Sequence, residues 1–290
     1  QPVAWSVTAN VNRLQYQRVG VCWCGACGCH RDLGCQFPFT LWCLSDDWQA
    51  QGHWFLAARK YKGLHHANRV PNADDMSNTE FSHVRAWVFD LDNTLYPPAA
   101  RLFDQIEVRM TAYVMDALGV SETEANRLRV HYWRTHGTTL AGLMREHQVD
   151  PAPYLNEVHD ITLDHLDPDP VLAARIRSLP GRRIVYTNGC APYAERVLAA
   201  RGLSDLFDAV YGVENANFLP KPERQAFECI FAIDGLDPTQ GAMFEDEPRN
   251  LAAPHAMGMQ TVHVADNPHP ADFIHHHTAD LSGFLARLQG

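Results

Sequence analysis

The run Val84–Arg85–Ala86–Trp87–Val88–Phe89–Asp90–Leu91–Asp92–Asn93–Thr94–Leu95 changes character in its middle. Up to Phe89 it is mostly apolar, aromatic and branched, the composition of a strand buried on both faces of a parallel sheet. From Asp90 onward it carries two carboxylates and a hydroxyl where that strand should end. The period of two along a strand puts Asp90 and Asp92 on one side of the chain, so their carboxyls can converge on a small site. Carboxylates at the mouth of a buried strand are costly without a cation or a proton between them. The stretch is therefore a candidate metal and phosphoryl site. A lone D-x-D is ordinary turn chemistry; the apolar run before this one, and the order of the polar clusters downstream, set it apart.

After this strand, Tyr96–Pro97–Pro98 breaks regular structure, because two prolines fix the backbone and remove donors. Leu102, Ile106, Met110 and Val114 then recur every fourth residue, with Phe103 and Tyr113 beside them, as one face of an amphipathic helix. Ser121–Glu122–Thr123–Glu124 is a capping box that opens a second helix running towards His136–Gly137. Further helices are expected near Thr139–His147, Pro151–Asp160 and Pro170–Ser178. Phe103, Tyr113 and Trp133 sit at helical spacing and read as core rather than as a stacking surface.

At Gly181 the pattern switches. Arg183–Tyr186 is a short apolar strand ending in Thr187–Asn188–Gly189, followed by a helix with Tyr193, Val197 and Leu198 on one face. Ala209–Val213, Ala242–Phe244 and Thr261–Val264 are further strands, separated by helices near Pro222–Ala232 and Arg249–Met257. Strands alternating with helices give an α/β fold with a parallel sheet. Ligands of such sheets lie at the carboxyl ends of the strands, where Asp90/Asp92/Thr94, Thr187/Asn188 and Glu245/Asp246 all fall. Lys221 is singled out by usage: residues 76–290 contain sixteen arginines and this single lysine. A compact ammonium retained at one place marks a site where a planar guanidinium will not fit.

The 290 residues allow one large or two modest domains, and 46% hydrophobic with 20% charged residues is ordinary for a globular protein. No apolar run approaches bilayer length and the first twenty residues lack a secretory pattern, so a cytoplasmic location is expected. Residues 1–75 carry a net charge of +2 and the remainder −12. So acidic a body is not expected to bind a nucleic-acid polymer or a membrane. A small phosphate monoester held by a cation is the expected partner; the sequence does not set an oligomeric state.

Residues 1–75 read differently. They hold six of the eight cysteines, Cys22, Cys24, Cys27, Cys29, Cys35 and Cys43, and five of the seven tryptophans. Cys24–Gly25–Ala26–Cys27 has zinc-knuckle spacing, which His30, Cys35 and Cys43 could complete. Against a zinc ribbon, Cys35 and Cys43 do not form a second closely spaced pair and are flanked by Phe37, Phe39 and Trp42. The favoured reading makes Met76 the start and residues 1–75 an upstream-translated or disordered extension, poorly ordered.

With four ordered motifs, Asp90–Leu91–Asp92–Asn93–Thr94, Thr187–Asn188, Lys221 and Glu245–Asp246, the chain from Met76 to about Val264 resembles the haloacid dehalogenase-like phosphohydrolase superfamily. Phe89–Asp90–Leu91–Asp92–Asn93–Thr94–Leu95–Tyr96–Pro97 and Phe244–Glu245–Asp246–Glu247–Pro248–Arg249–Asn250–Leu251 are similar to its pyrimidine 5′-nucleotidase branch. The resemblance implies a Rossmann-like catalytic core over 76–96 and 181–290, with a helical cap inserted at 97–180. It further implies a Mg²⁺-dependent phosphatase acting on pyrimidine nucleoside 5′-monophosphates. In that scheme Asp90 is the nucleophile and forms an aspartyl-phosphate, and Asp92 is the proton donor and later the base. Lys221 compensates charge, and Thr187 and Asn188 grip phosphate together with Lys221. Mg²⁺ is held by Asp90, the main-chain oxygen of Asp92 and Asp246, with Glu245 holding a metal-bound water. Dehalogenases lack the second aspartate, because halide leaves without a proton. Asn93 stands where glycine is commoner, which is tolerable because Asn accepts a left-handed backbone.

The alternatives are a sugar-phosphate phosphatase or mutase of the same superfamily, and, in another class, an amino-terminal zinc-binding interaction module on a non-catalytic body. Thr94 is expected to brace the turn, and Cys190 is given no role. Three consecutive side chains cannot all face one ion, so His275–His276–His277 is expected to be a solvated loop.

Overall fold

The computed structural model of the protein describes residues 79–288. The expectations for residues 1–75, zinc module and start at Met76 included, lie outside the described residues. The organising strand, β1 (Ala86–Phe89), is buried along its whole length. It lies between β2 (Arg182–Tyr186) and β4 (Gly241–Glu245), in parallel to both, with Phe89 aligned to Val185 on one side and to Phe244 on the other. Outside these lie β3 (Ala209–Tyr211), β5 (Gln260–Val264) and β6 (His276–Thr278), giving a parallel sheet in the order β3-β2-β1-β4-β5-β6.

Between β1 and β2 the chain forms α1 (Leu102–Leu118), α2 (Glu122–His136), α3 (Thr139–His147), α4 (Pro151–Val158) and α5 (Pro170–Arg177). Helices α6 (Ala191–Ala200), α7 (Arg224–Asp234), α8 (Ala252–Ala256) and α9 (Leu281–Arg287) follow later strands. Local sequence places their starts. The Ser121 side chain accepts from Glu124 N, Thr138 from Ala141 N, Asp150 from Ala152 N and Asp169 from Leu172 N. Each such cap typically contributes about 1 kcal/mol. Helices α1 and α7 end at Gly119 and Gly235 in the left-handed conformation that glycine adopts freely. Among the described residues no helix is long and apolar enough to cross a membrane.

The alternation along β1 divides the core. Trp87 and Phe89 face one side with residues of α5, α6 and α9, while Ala86 and Val88 face the other with Phe227 and Ile230 of α7. Phe89 stacks on Phe244 with centroids 4.7 Å apart, so truncating either ring would open a cavity costing roughly 3–5 kcal/mol. Helices α1–α4 pack on one another, whereas α5 packs against α9 at the flank of the sheet. Leu102, Ile106, Tyr132, Leu143 and Tyr154 belong to the same apolar cluster as Phe89, so this helical layer is continuous with one face of the sheet.

One expectation is overturned. The segment His275–His276–His277 is not a solvated loop: His276 and His277 lie in β6, His276 is buried, and its ring meets Phe81 and Phe284. The aromatic contacts, which sequence pattern does not show, hold the imidazole inside.

Candidate active site

Asp90 follows the last residue of β1, and its N–H donates to the Phe244 carbonyl at 2.9 Å, which continues the sheet by one step and fixes the carboxylate over the strand ends. The turn after it needs a left-handed residue, and Asn93 supplies one at φ +57°. That turn also lets Asn93 Nδ2 donate to Asp246 Oδ2 at 3.2 Å, linking the ends of β1 and β4.

Lys221 is 1% exposed. Its Nζ donates to Asp90 Oδ1 at 2.6 Å, Glu245 Oε2 at 2.6 Å and the Tyr186 carbonyl at 3.1 Å, which uses all three ammonium hydrogens. Burial alone would lower its pKa, but Asp90 and Glu245 outweigh burial and keep the ammonium charged. The loop bearing Lys221 is pinned by Asn188, whose Oδ1 accepts from Lys221 N at 2.8 Å while its Nδ2 donates to Lys221 O at 3.1 Å. The Asn188 side chain is thus committed to the lysine backbone. Glu245 Oε1 accepts from Asn250 Nδ2 at 3.1 Å and Glu247 N at 3.3 Å, so both its oxygens are satisfied.

Asp92 turns the other way. Its Oδ1 accepts from Tyr96 at 2.6 Å and from Tyr193 at 2.8 Å, and its Oδ2 lies 3.5 Å from the Thr187 hydroxyl. Thr187 Oγ1 in turn accepts from Gly189 N at 2.9 Å. Burial raises the Asp92 carboxyl above the usual range against the opposing effect of the phenols. The Thr94 hydroxyl is buried and makes no side-chain hydrogen bond; its N–H donates to the Leu91 carbonyl at 3.3 Å within the turn.

The carboxylates outnumber the ammonium. Burial first, and then the Glu245 charge, push Asp90 up to about 8; burial, Asp90 and Glu245 push Asp246 up to about 9. Oxygen atoms of Asp90, Glu245 and Asp246 lie within 4.8 Å of one another. An all-oxygen cluster with surplus negative charge fits a hard divalent cation of the Mg²⁺ type.

Above these groups lies a cavity of about 740 Å³ between the strand ends and the helical layer. Its walls carry Phe103 and Trp133, 41% and 43% exposed, with Met110, Arg129 and Asn126 farther along. The expectation that the three aromatics are core is corrected for Phe103 and Trp133, which face this space, while Tyr113 packs edge-on against Tyr154 at 5.0 Å. Arg249 fastens the layer to the core. Its guanidinium lies 3.9 Å from the Trp133 ring centroid, and it donates to Trp133 O and Gly137 O at 2.9 and 3.1 Å. Gly137, at φ +89°, is where the layer approaches the lysine loop; a Cβ there would meet Pro220 at 3.1 Å and Lys221 O at 3.3 Å.

Asp90, Asp92, Thr187, Asn188, Lys221 and Asp246 therefore meet at one end of the sheet. Sequence reasoning missed Tyr96 and Tyr193 as partners of Asp92 and the ion pair of Glu245 with Lys221. The haloacid dehalogenase-like hydrolase model matches residues 84–258, more than half of the chain. The chain is a haloacid dehalogenase-like hydrolase. This hydrolase is 26% identical over 200 residues to Phosphate metabolism protein 8 of Saccharomyces cerevisiae, covering 63% of this chain and 62% of that protein. It is 34% identical over 109 residues to Fructose-1-phosphate phosphatase YqaB of Escherichia coli, covering 37% of this chain and 57% of that protein. The hydrolase thus spans less than two thirds of either relative. Among solved structures it is similar to the HAD-hydrolase YfnB from Bacillus subtilis bound to magnesium, at 14% identity and a TM-score of 0.48, covering 71% of this chain and 99% of that one. It is similar also to a HAD phosphatase from Thermococcus onnurineus, at 18% identity and a TM-score of 0.49, covering 71% and 98%.

Proposed function

We propose that the protein is a Mg²⁺-dependent phosphatase that hydrolyses pyrimidine nucleoside 5′-monophosphates through an aspartyl-phosphate on Asp90. The observation that carries this reading is the pair of aspartates in different surroundings. Asp90 touches the buried ammonium of Lys221, while Asp92 is held by two phenols. A group poised to give and take a proton is what an alkoxide leaving group requires and a halide does not.

In this reading Asp90 attacks phosphorus, the ester bond breaks, and Asp92 delivers its proton to the departing oxygen. Asp92 then takes a proton from the water that cleaves the acyl-phosphate. Lys221 offsets the repulsion between the carboxylate and the phosphate dianion. The Thr187 hydroxyl and neighbouring main-chain amides grip the phosphate, and Asn188 acts by holding Lys221 in place. Asp90 and Asp246 carboxylates and the Asp92 main-chain oxygen would hold Mg²⁺, which supplies positive charge to the transferring phosphoryl group.

The cavity walls support a planar substrate: Phe103 and Trp133 offer exposed aromatic faces, and Arg129 and Asn126 offer polar groups for a base edge. The division into a core and a helical cap belongs to the same proposal, with α5 counted in the core because it packs on α9. A panel of monophosphates assayed with Mg²⁺ tests the substrate class. Preferential phosphate release from UMP and CMP is the expected result. A clear preference for sugar phosphates would replace it with the second reading, which the E. coli relative named as a fructose-1-phosphate phosphatase favours. Asp90→Asn is expected to abolish turnover of every substrate, because an amide cannot form the acyl-phosphate.

A further inference from the structure

The geometry points to a second cation site, formed by His263 and His277 and suited to a divalent transition metal such as Zn²⁺, at the sheet edge beside Asp246. His263 on β5 and His277 on β6 are register partners. Their Nδ1 atoms face each other at 3.3 Å, with ring centroids 5.3 Å apart. The opposite nitrogen of His263, Nε2, lies 2.9 Å from the main-chain oxygen of Asp246. A carbonyl oxygen only accepts, so the His263 proton sits on Nε2 and the Nδ1 lone pair is turned towards His277.

That arrangement has the features of a metal-binding histidine pair. An imidazole that ligates through one nitrogen commonly donates from the other to a backbone carbonyl, which fixes tautomer and ring orientation. Two nitrogens on a tetrahedral Zn²⁺ with bonds of about 2.0–2.1 Å stand about 3.3–3.4 Å apart, which matches the observed separation. His269 lies in the exposed segment after β5 with its ring 6.5 Å from that of His263, near enough to add a third ligand after a modest loop movement, with water completing the set. Before metal binds, the His277 Nδ1 hydrogen lies between the rings; on binding, His277 carries its hydrogen on Nε2, so both rings stay neutral and no net proton is released.

The neighbouring histidines are otherwise engaged. His275 Nδ1 is bonded to Thr261, and the His276 ring is packed against Phe81 and Phe284. The nitrogen pair also differs in kind from the oxygen cluster of Asp90, Glu245 and Asp246, so the two sites select different ions. A metal on this pair would tie β6 to β5 and, through His263, to the Asp246 backbone.

The test is Zn²⁺ uptake by the full chain in equilibrium dialysis with Mg²⁺ in large excess, comparing wild type, His277→Ala and His275→Ala. Zinc bound elsewhere, the cysteines of residues 1–75 included, contributes equally to all three. The wild type and His275→Ala are expected to retain an additional equivalent that His277→Ala binds about tenfold or more weakly. In the same buffer, Zn²⁺ should raise the thermal midpoint of the wild type more than that of His277→Ala. Equal uptake by wild type and His277→Ala overturns the assignment, as does an equal loss in His275→Ala, which marks nonspecific binding to a histidine-rich surface. If His277→Ala does not fold by circular dichroism, His277→Gln takes its place.

Discussion

The Tyr193 hydroxyl donates a 2.8 Å hydrogen bond to Asp92 across 101 residues of chain, and Tyr96 donates to the same oxygen at 2.6 Å. Burial first, and then the Asp92 charge, hold both phenols far above the ordinary tyrosine range, so they stay protonated donors. Tyr193→Phe removes one charge-assisted bond, about 1.5–3 kcal/mol. Turnover of p-nitrophenyl phosphate should fall roughly tenfold, and the acid limb of the pH–rate profile should move to higher pH as Asp92 binds its proton more tightly. A lower rate with an unmoved limb would deny the phenol any hold on the Asp92 proton.

Lys221 fits its slot as a point charge. Lys221→Arg forces a planar fork into a fully buried space bounded by Asp90, Glu245 and the Tyr186 carbonyl. Activity should drop at least about a hundredfold, with a lower thermal midpoint. Lys221→Met leaves two buried carboxylates without their cation, a loss of about 3–5 kcal/mol, measurable by urea unfolding of metal-free protein. Near-wild-type stability in Lys221→Met would contradict the ion-pair geometry.

Metal binding should depend on pH with a definite sign. Asp90 and Asp246 are raised from 3.8 to about 8 and about 9 in the metal-free fold. A carboxyl raised on folding contributes its stability below pH 3.8 and loses it as pH rises through the folded value, so metal-free protein weakens towards pH 9. Mg²⁺ requires the ionised carboxylates and competes with those protons. The thermal shift on adding Mg²⁺ should therefore be small at pH 5 and grow towards pH 9; a shift that shrinks over that range would refute the proposed ligand set.

Acid should act through imidazoles. Burial lowers His159 and His276 from 6.5 to about 4. A base lowered on folding contributes fully above its unfolded value and loses that contribution as pH falls through the folded one. Between pH 6.5 and 4 these two rings should each subtract about 3 kcal/mol from the stability, against the gain that Asp90 and Asp246 bring over the same range. His276→Phe, which keeps the contacts with Phe81 and Phe284, should shift the acid midpoint to lower pH while changing little at pH 8. Urea titrations across that range decide the point.

Much of this was legible in the chain because each central strand is an apolar run that stops at a polar residue, and helices α2 to α5 and α9 each start at a capping side chain. Asp90, Thr187 and Glu245 fall where such runs stop, and usage alone drew out Lys221. The partners that tune them were hidden. Tyr193 stands 101 residues from Asp92, and the Asn188 clamp spans 33 residues to Lys221; helical periodicity put Tyr193 on an apolar face without revealing its polar partner, and Asn188 leaves no periodic trace. β6 was hidden for a different reason. Three residues of His276–His277–Thr278 carry no apolar signature, and the strand exists because neighbouring rings shelter His276.

The central place of β1 has a practical consequence. With hydrogen-bonded neighbours on both sides, it can be exposed only after one half of the sheet has come away. Catalytic decay on heating should therefore coincide with loss of ellipticity, and an enzyme assay becomes a gauge of how much intact sheet survives in a sample.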